Sequence, residues 1–143
     1  MTCSRQADTG PAMRHLTVEG LVEFLSHHPR AKVLDVRSAH ERESGSILGN
    51  YPVPWFTPDW EPNPAFLAQT LWHCTPQDYV LVICRSGYRS YVAGALLENS
   101  GFQHIYNVLG GYEDLPRGFP CNRKKDGLEA FQPIDFIISS QFF

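Results

Sequence analysis

The chain has 143 residues, 43% hydrophobic and 19% charged, with a formal net charge of −3. That size and composition suit one globular domain with a real core and exclude a disordered chain. A charge so near neutral excludes a broadly basic nucleic-acid-binding surface, and no apolar run approaches the length of a membrane span. The polar start of the chain carries no signal-peptide pattern, so the cytoplasm is the expected compartment. The four cysteines, Cys3, Cys74, Cys84 and Cys121, show no C-x-x-C spacing. Without a secretion signal they are expected to be reduced thiols.

In chain order, residues 1–14 read as a tail. Thr17 to His28 places Val18, Leu21, Val22 and Leu25 at helical spacing, with Thr17 as N-cap and Pro29 as the stop. Lys32 to Arg37 is a short apolar run that predicts a buried strand. Ser38 and Glu41 form a capping box for a short helix that ends before Gly45. Asn50 to Trp55 predicts a short strand, and the proline-rich stretch from Thr57 to Pro64 predicts loop. Asn63-Pro64 starts a helix whose apolar face is Phe66, Leu67, Thr70 and Leu71. Tyr79 to Ile83 is the strongest strand signal and is apolar at successive positions, as in a sheet covered on both faces.

Ser90 to Ser100 predicts a helix with Val92, Ala93, Leu96 and Leu97 inward and Gly101 at C′. His104 to Leu109 predicts another strand, followed by a Gly110-Gly111 turn. Strands alternating with helices imply an α/β domain with a mainly parallel sheet. The domain is placed at residues 15–117. Residues 118–143 form an extension that begins with glycine, proline and charge and ends in apolar residues, including Phe136-Ile137-Ile138.

The chemistry is expected between the most buried strand and the next helix, in Cys84-Arg85-Ser86-Gly87-Tyr88-Arg89. Ligands of parallel α/β sheets bind beyond the carboxyl ends of the strands, where Cys84 falls. The following helix aims its N-terminal N–H groups at this loop. Arg85 and Arg89 add positive charge, and Gly87 allows a tight turn that brings N–H groups inward. All three effects favour a thiolate and an anionic ligand. A cysteine at a strand end is often only a core residue, but burial does not account for this combination. Cys74 reads as packing, and Cys121 as a thiol that could resolve an oxidised Cys84.

Several segments in order resemble the rhodanese family of sulfurtransferases. Leu34-Asp35-Val36-Arg37 resembles its first signature, and Glu41 with Gly45-Ser46-Ile47-Leu48-Gly49-Asn50 its second. Val82-Ile83-Cys84-Arg85-Ser86-Gly87-Tyr88-Arg89-Ser90 resembles its active-site loop. Gly101-Phe102 and Val108-Leu109-Gly110-Gly111-Tyr112 resemble its closing segment. Ser46, Asn50 and Leu115 depart from the family's usual histidine, alanine and tryptophan, at positions read as structural.

The resemblance implies a rhodanese-like fold, a five-stranded mainly parallel sheet with helices on both faces. It implies Cys84 as nucleophile, with Arg85, Ser86, Gly87, Tyr88 and Arg89 binding the substrate. Sulfane sulfur would pass from thiosulfate or a related donor, through a Cys84 persulfide, to cyanide or a thiol. No metal or organic cofactor is implied. A six-residue loop goes with sulfur transfer in this fold, whereas phosphatases and arsenate reductases carry one residue more. Asp35 and Arg37 read as anchors for neighbouring loops, and Tyr88 and Trp55 as pocket walls. A non-enzymatic sulfur-relay or binding module served by a protein donor or acceptor is the first alternative, and a phosphatase or arsenate reductase of the same fold is the second. The C-terminal extension could then dock a partner, form a homodimer or cover a sheet edge.

Overall fold

The computed structural model describes residues 13–116, 119, 121 and 122. Five strands form one all-parallel sheet in the order β1-β6-β5-β2-β4. They are β1 (Arg14–Thr17), β2 (Lys32–Asp35), β4 (Tyr51–Pro52), β5 (Tyr79–Ile83) and β6 (His104–Leu109). A separate antiparallel pair joins β3 (Ser46–Ile47) to β7 (Cys121–Asn122).

The helices are α1 (Val18–His27), α2 (Ala39–Arg42), α3 (Phe66–Leu71) and α4 (Tyr88–Asn99). Local chemistry sets their ends. Thr17 Oγ accepts the Gly20 N–H at the start of α1. Ser38 and Glu41 cap α2 reciprocally. Gly101, at φ +103°, closes α4, with its N–H on the Glu98 carbonyl and that of Phe102 on the Leu97 carbonyl. Among the described residues no helix is long and apolar enough to cross a membrane.

The pleat of β5 divides the core in two. Val80, Val82 and Cys84 face a cluster with Phe66 of α3 and Ala93 and Leu97 of α4. Leu81 and Ile83 face the opposite cluster with Val18, Leu21 and Leu25 of α1. From β2 the chain continues to β4 on one side, and from β5 it continues to β6 on the other. The sheet therefore has its topological switch point between β2 and β5, and the loops leaving these two strands share one crevice.

The structure departs from expectation at several points. Arg14, assigned to the tail, begins β1, and Met13 packs on the core. β2 stops at Asp35, and only Tyr51–Pro52 of the Asn50–Trp55 run is strand. α4 starts at Tyr88, two residues before Ser90. Leu96, expected inward, is exposed, and the buried position is Gly94. A Cβ there would lie 2.8 Å from Met13 Sδ and 3.1 Å from Ile105, so the close approach of α4 to the sheet selects a residue without a side chain. Phe119 and Cys121, assigned to the extension, are buried against the α1 side of the sheet. Residues 1–12, with Cys3, and the extension beyond 122, with its apolar end, lie outside the described residues.

Candidate active site

Cys84 follows the last residue of β5, and its side chain is buried. Gly87, at φ +112°, turns the chain straight into α4 and offers no capping side chain of its own. The sulfur takes that place. Sγ accepts the Gly87 N–H at 3.1 Å and the Ser90 N–H at 3.4 Å, and Ser90 Oγ lies 3.4 Å away. Gly87 is the N-cap and Ser90 the third helical residue, so Cys84 satisfies donors that the first turn of a helix otherwise leaves open.

The turn after β6 holds the loop from outside. Tyr112 N donates to the Cys84 carbonyl and Glu113 N to the Arg85 carbonyl, both at 2.9 Å. Gly110 (φ +82°) and Gly111 (φ +58°) make that approach possible.

The two loop arginines, expected from sequence to add positive charge, are both paired with carboxylates. Arg89 reaches across the crevice and grips Glu41 through both nitrogens, at 2.7 and 2.8 Å. Arg85 pairs with Glu113 at 2.8 Å on an exposed surface. Glu41 also accepts from the Ser38 N–H and hydroxyl. One carboxylate thus caps α2 and fixes an arginine of the cysteine loop.

The Arg89 hydrogen bonds, working against burial, hold the Glu41 carboxyl at about 2, below its ordinary 4.5. A lowered folded-state value stabilises the fold above the ordinary one, and that stability is lost as pH falls from about 4.5 to about 2. Glu41→Gln is expected to flatten the stability profile in that window in urea unfolding at stepped pH. An unchanged slope would show that the pair adds nothing to folding.

Asp35 and Arg37 act as anchors, as expected. Asp35 is fully buried and accepts from the Arg37 backbone N–H, the Arg37 guanidinium and Arg42 Nε. Arg37 continues to the Gly45 carbonyl and lies 3.5 Å from the centre of the Tyr112 ring. Burial pushes the Tyr112 phenol well up, and its oxygen accepts the Ile47 N–H. A cleft of about 300 Å³ opens here, lined by Arg37, Glu41, Ser44, Arg85, Tyr112 and Glu113.

Of the residues singled out from sequence, Cys84 and Gly87 meet at the sulfur, Arg85 lines the cleft, and Arg89 is held on Glu41. Ser86 and Tyr88 are exposed at the rim. Trp55 packs edge-on against Phe66 beside the cluster that holds Cys84. Cys74 is buried packing, its thiol pushed up to about 11 by desolvation. Cys121 sits with Ile47 in the opposite cluster from Cys84. The residues missed as site components are Asn107 and Glu113, while Ser90, Tyr112 and Glu41 stand in segments that resemble the family, without a role assigned at the sulfur. For Ser90 a signal existed, since the third residue after a glycine N-cap directs its N–H back into the loop.

A family model for the rhodanese-like domain matches residues 18–115. Rhodanese-like domain-containing protein 17 of Arabidopsis thaliana is 37% identical over 84 residues, covering 55% of this chain and 54% of its own length. Thiosulfate sulfurtransferase 16, chloroplastic, of the same plant is 34% identical over 84 residues, covering 57% of this chain and 70% of its own. The crystal structure of Rv0390 from M. tuberculosis superposes with a TM-score of 0.62 at 32% identity, over 72% of this chain and 81% of that one. The chain thus spans about half of the first relative, at 54%, and more of the second, at 70%. With the matched segment running from the start of α1 to the turn that clamps the Cys84 loop, the chain belongs to the rhodanese-like domain family, which includes sulfurtransferases.

Proposed function

We propose that the protein is a sulfurtransferase that carries sulfane sulfur as a persulfide on Cys84. The observation that carries this reading is the pair of backbone N–H groups on Sγ within a six-residue loop, aimed by a helix N-terminus. In the first step the Cys84 thiolate attacks the outer sulfur of thiosulfate or a related donor. The donor's S–S bond breaks, and sulfite leaves with its electron pair. The persulfide's terminal sulfur is then held by the loop N–H groups. In the second step cyanide or a thiolate attacks that sulfur, the Cys84 S–S bond breaks, and the thiolate is restored.

Incubation with thiosulfate is expected to add the mass of one sulfur to the intact protein, and cyanide to remove it. Cys84→Ser is expected to show no adduct. Wild-type protein that stays unmodified would sink the proposal for thiosulfate.

One observation favours a second donor class. Both loop arginines are already paired with carboxylates, so neither guanidinium is uncommitted for a small dianion. A persulfide donor, on a small thiol or on a protein, needs no such cation. Slow labelling by thiosulfate with fast labelling by a persulfide would mark this second donor.

A further inference from the structure

Asn107 lies on β6, buried beside the cysteine loop. Its Nδ2 is 3.4 Å from the Gly87 carbonyl oxygen and 3.4 Å from His15 Nδ1, and its Oδ1 is 2.5 Å from Ser90 Oγ. Elimination fixes the amide's orientation. The Gly87 carbonyl oxygen only accepts, so the NH₂ group faces it and the amide oxygen faces Ser90. The amide oxygen also only accepts, so the single hydroxyl proton of Ser90 is aimed at Asn107. What Ser90 turns toward Cys84 Sγ, 3.4 Å away, is a lone pair, which suits an S–H donor.

This arrangement fits a thiol and opposes a negative sulfur. Once sulfur carries charge, the Ser90 hydroxyl gains by donating to it, because hydrogen bonds to charged groups are the stronger ones. To do so it must leave Asn107, whose buried oxygen then loses its hydrogen.

We propose that Asn107 is a positioning residue that holds the Ser90 proton away from Cys84 and so governs how readily the sulfur takes on negative charge. The Ser90 hydroxyl is a two-position donor, to Asn107 beside the thiol and to sulfur beside the thiolate or persulfide. The Gly87 and Ser90 N–H groups serve both states. The inference rests on Cys84 as the nucleophile of the proposed function.

The charged groups around the loop are Arg89 with Glu41 of α2, Arg85 with Glu113 after β6, and Asp35 of β2 with Arg37 and Arg42. Tyr112 backs Arg37 on the same side, and exposed His15 of β1 touches Asn107 from the other.

The test is a pH titration of thiolate ultraviolet absorbance, each protein read against the same protein carrying Cys84→Ser. Asn107→Leu and Asn107→Ala are each expected to lower the midpoint by about one pH unit, the scale of one hydrogen bond to a charged group. In a Ser90→Ala background, replacing Asn107 is expected to move nothing further, which a merely structural role would not predict. His15→Ala is expected to leave the midpoint in place. Midpoints that stay or rise in both Asn107 variants, or an Asn107 effect that persists without the Ser90 hydroxyl, would overturn the inference. The titration uses no sulfur donor, so a missing thiosulfate adduct would strike the proposed function and leave this readout intact.

Discussion

Gly111→Ala is expected to destabilise the domain by about 2–4 kcal/mol and to remove most thiosulfate labelling of Cys84. A Cβ at Gly111 would lie 2.4 Å from the Cys84 carbonyl oxygen and 2.5 Å from that of Arg85. Both are backbone atoms of the cysteine loop, so no side chain can rotate away. Either the loop moves or the turn moves, and each breaks the Tyr112 and Glu113 hydrogen bonds that join them. The left-handed φ of +58° adds a further cost for any residue with a Cβ. Gly110→Ala is the comparison. The nearest atoms to its Cβ all belong to the Asp114 side chain. The carboxylate can turn aside, but the Asp114 Cβ at 2.9 Å requires a small shift, so a lower cost of about 1–2 kcal/mol is expected, the left-handed φ included. Urea unfolding and intact-mass labelling of both variants check the pair. Equal behaviour of the two would show that the contact with the cysteine loop carries no weight.

Asp35→Ala is expected to cost about 3–5 kcal/mol, because it leaves the buried Arg37 guanidinium without its counter-charge. Burial opposes the charge on Arg37, and the Asp35 hydrogen bond and charge outweigh it, holding the guanidinium above its ordinary range. Arg42 loses a partner as well, though it is better exposed. Asp35→Leu combined with Arg37→Met is expected to recover much of the loss, since removing both charges avoids the unpaired one. Denaturant midpoints of the single and double variants decide this. A double variant no more stable than the single one would show that Arg37 acts through its contacts with Gly45 and Tyr112 instead.

The features legible in the sequence were those whose cause is local. The apolar run Tyr79–Ile83 could only be a covered strand, and the Ser38–Glu41 capping box needs residues three apart. Cys84, Gly87 and the helix after them were legible for the same reason. What escaped was set by distant partners. β1 is mostly exposed and carries no apolar pattern, and only its pairing with β6 makes it a strand. The arginines of the loop were visible, but Glu41 and Glu113 lie 48 and 28 residues from them in sequence, so their pairing was not. Leu96 looked inward by period alone, and Gly94 is buried because Met13 and Ile105 leave no room there. Ser90 was legible as the end of the loop, but its partner Asn107 reads as an ordinary strand residue until α4 and β6 bring the two together at the sulfur.

The strand order also bears on how the chain is made. β1 is made before the other strands of this sheet, yet among the described residues its one neighbour in the sheet is β6, and Arg14 pairs with Tyr106 across 92 residues. A nascent chain halted before residue 104 therefore presents β1 with no strand to join. β2 and β5 can pair earlier, so the crevice begins to form while the sheet is still open on one side. Among the strands of this sheet, closure of that side, which brings Asn107 to the loop, comes last, ahead only of the β3–β7 pairing.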